Sequence, residues 1–143
     1  MITLSRIQAV EPSLGSSSGK NTKNGLPLVL VIEDDHHSAI ALSMLLDDWG
    51  YSCISVRSAR EAIEKLGVRI VKIHAIVTDF YLDGEYRGIR DTTALISSIG
   101  HPVPVIVTTV YGALAIKASR FPVLRKPFDP EVLRTWLSVK NLS

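Results

Sequence analysis

The sequence predicts an α/β fold in which five parallel strands form a central sheet between two layers of helices. Short apolar runs alternate with amphipathic stretches from Leu28 onward, and this alternation is typical of parallel α/β proteins. The first run, Leu28 to Ile32, is continuously apolar, as expected of a strand that is buried on both faces. Parallel strands need right-handed crossover connections, which place helices on both faces of the sheet. The predicted architecture is therefore a three-layer sandwich.

Five predicted strands and five predicted helices follow from these patterns. The strands are Leu28–Ile32, Ser52–Val56, Ile70–Thr78, Val103–Thr109 and Phe121–Arg125. The helices run to about Trp49, from Ser58 to Leu66, from Ile89 to Ile99, from Ala113 to Ser119, and onward from Asp129.

Local signals mark the ends of these helices. Gly50, Gly67 and Gly100 follow the first three helices, where a glycine ends a helix without a steric penalty. Ser58 and Glu61 form a capping box at the start of the second helix. Helical spacing in the first helix predicts a buried face made of Ile40, Met44, Leu45 and Trp49.

Length and composition indicate one domain and exclude several classes of function. The chain has 143 residues, 46% of them hydrophobic and 21% charged, and a net charge of +2. So small an excess does not indicate a nucleic-acid surface. The single cysteine, Cys53, excludes an internal disulfide and a cysteine-based zinc cluster. The apolar runs are too short to span a membrane, and the first residues lack a secretion signal. We therefore expect a cytoplasmic protein that binds neither nucleic acid nor membranes.

Residues 1–26 differ in composition from the rest of the chain. They are rich in Ser, Gly, Asn, Pro and Lys, which predicts a flexible leader before a single domain at residues 27–143. The stretch from Gly15 to Lys20 resembles a phosphate-binding loop. Its spacing is one residue short, and Asn21 stands where Ser or Thr should follow the lysine. We therefore interpret this stretch as linker.

Polar residues lie at the ends of four predicted strands. They are Glu33, Asp34 and Asp35 after the first strand, Asp79 after the third, Thr108 and Thr109 in the fourth, and Lys126 after the fifth. The carboxyl ends of parallel strands meet at one edge of the sheet, where ligands bind in this fold class. Clustered carboxylates repel each other unless a cation joins them. Mg²⁺, a hard cation that prefers oxygen ligands, suits such a site.

The same residues fit phosphoryl transfer. Glu33, Asp34 and Asp79 would bind the metal ion, while Lys126 would supply a fixed positive charge to a tetrahedral oxyanion. A threonine hydroxyl would be a neutral donor to the same group. Asp79 would then be the nucleophile that accepts the phosphoryl group as an acyl phosphate.

These segments resemble the receiver domain of two-component response regulators. The motifs VLVIEDD, IVTDFYLDG, PVIVTT and LRKPF match that family in order, over about residues 27–140. The resemblance implies a flavodoxin-like fold with strand order 2-1-3-4-5. It also implies that Asp79 is the phosphoacceptor and that Mg²⁺ is bound by Glu33, Asp34, Asp79 and the backbone carbonyl of Tyr81.

The resemblance assigns two further site residues. The family's hydroxyl falls on Thr109, with Thr108 as the alternative register, and its lysine falls on Lys126. The bond from Lys126 to Pro127 is then expected to be cis.

Several positions depart from the family pattern. Asp83 replaces a proline in a loop that looks one residue longer than usual, and the short segment between Thr109 and Lys126 predicts a truncated fourth helix. Val123 occupies a position that often carries an aromatic switch residue. Tyr81 and Tyr111 flank the expected phosphoryl group, and their bulk predicts slow attack by water.

The leading interpretation is a stand-alone receiver. It would take a phosphoryl group from the histidine of a sensor kinase or of a histidine phosphotransfer protein, and would signal by contact with a downstream protein. The resemblance also leaves a homodimer open. One alternative is a degenerate receiver that binds its partner without phosphorylation. Another is a haloacid-dehalogenase-type phosphatase, which needs a second aspartate where this chain has Tyr81.

Overall fold

The computed structural model describes residues 25–140. Over that range the strands β1 to β5 are Leu28–Ile32, Ser52–Val56, Ile73–Asp79, Val105–Thr109 and Val123–Arg125. The helices α1 to α5 are His36–Asp48, Ala59–Leu66, Gly88–Ile99, Gly112–Ala118 and Pro130–Lys140. A 3-10 helix, Gly67–Lys72, joins α2 to β3. The predicted leader, apart from residues 25 and 26, lies outside the described residues, as does the stretch from Gly15 to Lys20.

The strands form one parallel sheet with the order β2-β1-β3-β4-β5. Leu30 and Ile32 of β1 face a core shared with α2, α3 and α4, whereas Val29 and Val31 face a second core shared with α1 and α5. All five residues of β1 are buried, as expected for a central strand covered on both faces. These observations confirm the three-layer fold and its predicted strand order.

Three strands begin later than predicted. Residues 70–72 form the end of the 3-10 helix, whose buried residue is Ile70, and β3 begins only at Ile73. Strands β4 and β5 each follow a proline, which has no N–H for the ladder. Pro104 and Pro122 still contribute their carbonyl oxygens to neighbouring strands, with N–O distances of 2.9 Å.

The buried face of α1 differs from the predicted one. Asp35 caps the helix, since its carboxylate accepts a 2.9 Å hydrogen bond from the Ser38 N–H. The buried side chains are Leu42, Leu45 and Leu46, with Trp49 packed beside them. Ile40 and Met44 are 45% and 55% exposed, so the prediction was wrong for them. They lie four residues apart on a stripe next to the buried one.

The segment between β4 and β5 is short, as predicted. Helix α4 has seven residues, and of its side chains Ala115 is buried while Leu114 and Ile116 are exposed. The peptide bond between Lys126 and Pro127 is cis, as expected. Among the helices of residues 25–140, none is long and apolar enough to cross a bilayer.

Candidate functional site

Three carboxylates meet at the carboxyl ends of β1 and β3. The two strands are neighbours, with Ile32 paired to Thr78, so Glu33 and Asp34 emerge beside Asp79. Each of these three side chains offers an oxygen within 4.8 Å of the others. The sequence predicted this set, and the fold assembles it.

Lys126 follows the carboxyl end of β5, the outermost strand of the sheet, and its side chain reaches the carboxylates. Its backbone N–H donates to the carbonyl oxygen of Thr109 at 2.7 Å, which fixes the residue at the end of β5. Its Nζ lies 3.0 Å from Oε1 of Glu33 and 3.6 Å from Oδ2 of Asp79. One ammonium group therefore contacts two carboxylates.

Burial makes this cluster electrostatically costly. The side chains of Glu33 and Asp79 are only 5% and 12% exposed. Burial raises the pKa of Asp79 to about 6, and the charge of Glu33 adds to the rise while Lys126 opposes it. One ammonium therefore does not offset the burial of the Asp79 carboxylate. Three close carboxylates fit a hard divalent cation such as Mg²⁺, which binds oxygen ligands and keeps several waters.

Hydrogen bonds hold two of the three acids in place. Oε2 of Glu33 accepts from the N–H of Asp35 at 3.1 Å, and Oε1 is the atom that contacts Lys126. Oδ2 of Asp34 accepts from the N–H of Asp83 at 2.7 Å, which ties β1 to the loop after β3. These bonds orient the carboxylates of Glu33 and Asp34.

Comparison with known proteins agrees with the fold. The family model for the response regulator receiver domain matches residues 29–138. The chain belongs to this receiver family. Family members work in two-component signalling, and they generally bind Mg²⁺ at an acidic pocket.

Individual relatives are more distant. The receiver is 29% identical over 114 residues to the transcriptional regulatory protein ZraR of Escherichia coli O157:H7, a match that covers 76% of this chain and 25% of that protein. The chain thus spans about a quarter of the length of the curated relatives it matches.

Solved structures show the same fold at low identity. A response regulator receiver protein from Pseudoalteromonas atlantica is 20% identical with a TM-score of 0.66, covering 80% of this chain and 96% of its own. The chemotaxis protein CheY4 of Vibrio cholerae is 22% identical with a TM-score of 0.65, covering 80% and 98%.

The loop between β3 and α3 of this receiver contains a two-residue hairpin turn. Leu82 and Glu85 exchange both backbone hydrogen bonds, at 2.8 and 3.0 Å. Asp83 and Gly84 between them have φ values of 53° and 77°, the signs required by a type I′ turn. We call this element the β3–α3 hairpin. An Asp-Gly pair is a sequence signal for such a turn, but only a longer loop was predicted here.

Three tyrosine rings, two from the β3–α3 hairpin and one from the β4–α4 connection, contact each other. Tyr81 and Tyr86 flank the paired residues of the hairpin, with ring centroids 4.8 Å apart. Tyr111, from the β4–α4 connection, lies 5.7 Å from Tyr81 and 5.9 Å from Tyr86. We call these three residues the tyrosine cluster. Sequence reasoning named Tyr81 and Tyr111 but missed Tyr86, and the metal contact of the Tyr81 carbonyl stays a prediction.

The two candidate hydroxyls lie in different surroundings. Thr109 is buried, and its Oγ1 accepts from the N–H of Tyr111 at 2.8 Å. Thr108 is also buried and lines a cavity of about 390 Å³ together with Glu33 and Lys126. The bond to Tyr111 leaves the hydroxyl proton of Thr109 available to another acceptor.

Proposed function

We propose that this receiver accepts a phosphoryl group on Asp79. The observation that carries the proposal is the convergence of three carboxylates and the ammonium group of Lys126 at one sheet edge. A structural salt bridge needs one acid for one base. This site holds three acids, which is the arrangement that a divalent cation and a phosphoryl group complete.

Each residue has a distinct part in the transfer. An oxygen of Asp79 forms a bond to phosphorus while the bond between phosphorus and the donor breaks. The electron pair of the broken bond stays with the donor atom. Glu33, Asp34, Asp79 and the Tyr81 carbonyl would hold Mg²⁺. When bound, the ion offsets negative charge on the phosphoryl oxygens. Lys126, already 3.6 Å from Oδ2 of Asp79, pairs with one of those oxygens, and Thr109 donates its hydroxyl proton to another.

The partners follow from the same chemistry. Receiver domains interact with histidine kinases and with downstream proteins. For this chain the phosphodonor would be a histidine of a sensor kinase or of a phosphotransfer protein. Its output would be a protein contact made in the cytoplasm.

Phosphorylation by a small donor tests the proposal. The protein is incubated with acetyl phosphate and Mg²⁺, and the intact mass is measured. We expect the mass to rise by one phosphoryl group in the wild type and in Asp83→Asn, a neighbouring exposed acid, but not in Asp79→Asn. Chelation of the metal should abolish the rise.

A different result would favour the degenerate receiver. If the wild type gains no phosphoryl group while Mg²⁺ still raises its melting temperature, the acidic site binds metal without transfer. Phosphorylation of Asp79→Asn at the wild-type rate would show that another residue is the acceptor.

A further inference from the structure

The tyrosine cluster joins two loops that are far apart in the sequence. Tyr81 and Tyr86 belong to the β3–α3 hairpin, and Tyr111 belongs to the β4–α4 connection. Although Tyr86 and Tyr111 are 53% and 45% exposed, their rings contact each other edge to face, at 87°. Such aromatic pairs are favourable beyond the area that they bury.

Each loop is also bonded to the proposed site. On one side, the N–H of Asp83 in the hairpin donates to Asp34. On the other side, the N–H of Tyr111 donates to Oγ1 of Thr109. The ring contacts therefore connect an anchored hairpin with the backbone that orients the Thr109 hydroxyl.

On its other side, the β4–α4 connection is held by the first turn of α4, where the N–H of Ala115 donates to the Tyr111 carbonyl at 3.0 Å. Val110 is 58% exposed, and the helix that follows has seven residues. A Cβ added to Gly112 would first meet the flexible side chain of Arg125. Val123 of β5 offers no ring to this region. The backbone of Tyr111 is thus held by α4, while its ring is held by the rings of the hairpin.

We propose that Tyr86 is a positioning residue for the Thr109 hydroxyl. Its ring holds the ring of Tyr111, which keeps the Tyr111 N–H on Thr109 Oγ1 and directs the hydroxyl proton toward the phosphoryl group. This inference rests on the proposed function, because the hydroxyl has its part only if Asp79 is phosphorylated. Tyr86 also contacts Tyr81 at 4.8 Å between ring centroids, but the proposed metal ligand of Tyr81 is its backbone carbonyl and not its ring.

The rate of phosphorylation by acetyl phosphate tests this inference. We expect Tyr86→Ala to slow the reaction on the order of tenfold, as for a weakened transition-state hydrogen bond, and Tyr86→Phe to keep the wild-type rate. Val110→Ala, which trims an exposed side chain of the same connection, is the matched control and should leave the rate unchanged.

Two further results separate positioning from other effects. In a Thr109→Ala background, Tyr86→Ala should have no additional effect on the rate, because Tyr86 acts through the missing hydroxyl. An additive loss would overturn the proposal. Faster phosphorylation and hydrolysis in Tyr86→Ala would also overturn it, since they would show that the ring only limits access.

Amide hydrogen exchange keeps the two proposals distinguishable. The Tyr111 N–H should exchange faster in Tyr86→Ala than in Tyr86→Phe or the wild type, whether or not the protein is phosphorylated. If the wild type takes no phosphoryl group, the proposed function fails and exchange still tests the link to Thr109. If the wild type is phosphorylated and Tyr86→Ala matches it in rate and in exchange, only the positioning role fails.

Discussion

The two loops that bring tyrosines to the site are built differently. Both end at a glycine that begins a helix. At the β3–α3 junction, Gly88 donates its N–H to the Phe80 carbonyl at 3.1 Å, and an added Cβ would overlap the carbonyl oxygen of Asp79. At the β4–α4 junction, a Cβ added to Gly112 meets Cδ of Arg125 at 3.0 Å, the flexible part of a side chain.

The helices that follow show the same contrast. Helix α3 has twelve residues and buries Leu95 and Ile99 in the core. Helix α4 has seven residues and leaves Ile116 66% exposed. Backbone packing therefore limits the start of α3, whereas the flexible side chain of Arg125 faces the start of α4.

The largest expected effect comes from the two helix-starting glycines. Gly88→Ala should lower the free energy of unfolding by at least about 3 kcal/mol, because the new methyl group meets backbone that cannot move without displacing Asp79. Gly112→Ala should change it by less than about 0.5 kcal/mol, because the Arg125 side chain can shift and alanine favours a helix. Urea unfolding followed by tryptophan fluorescence measures both. An equal loss in the free energy of unfolding of the two variants would show that the β3–α3 and β4–α4 junctions are packed equally tightly.

The second effect is electrostatic and depends on pH. The pKa of Asp79 is raised from 3.8 to about 6 in the folded protein, so the folded state binds the proton more tightly than the unfolded state. Stability is therefore lost as the pH rises from about 4 to above 6. In metal-free protein at pH 7.5, Asp79→Asn should stabilise by about 1 to 3 kcal/mol, and the gain should shrink toward pH 4.

A neutral control isolates this effect. Glu64→Gln removes an exposed carboxylate on α2 and controls for the loss of one negative charge. If Asp79→Asn stabilises the protein equally at pH 4 and pH 7.5, the gain comes from packing and not from charge. A stabilising gain would mean that the tight β3–α3 junction holds the carboxylate in place against its own electrostatic cost.

The acidic side of the site could be predicted from the sequence because its signals are local. Glu33 and Asp34 follow one strand-like run and Asp79 follows another, and the ends of parallel strands must share an edge. The face of α1 could not be predicted, because two apolar stripes lie side by side and only the sheet decides between Leu42 and Met44. The start of β3 could not be predicted either, because the sequence Ile-Val-Lys at residues 70–72 is compatible with both a strand and a 3-10 helix.

The contact of Tyr86 with Tyr111 could not be predicted from the sequence for another reason. This contact depends on how two loops meet in space, and that depends on the turn at Asp83 and Gly84. Asp-Gly is a strong hairpin signal, so the turn was open to prediction from the sequence. The ring of Tyr111 on the far side was not, because no short-range pattern links the two loops.

The smallest effect tests whether that turn sustains the hairpin. Gly84 has a φ of 77°, so Gly84→Ala should cost about 1 kcal/mol, while Gly84→Asn should cost less because asparagine tolerates this region. Urea unfolding gives the energies, and nuclear Overhauser effects between Tyr86 and Tyr111 report the ring contact, which should weaken in the alanine variant and persist in the asparagine variant. If both variants lose stability equally, the positive φ at residue 84 does not determine the stability of the hairpin. The hairpin would then depend mainly on the bond from Asp83 to Asp34, and Asp34→Ala should loosen the rings as much as any change in the turn.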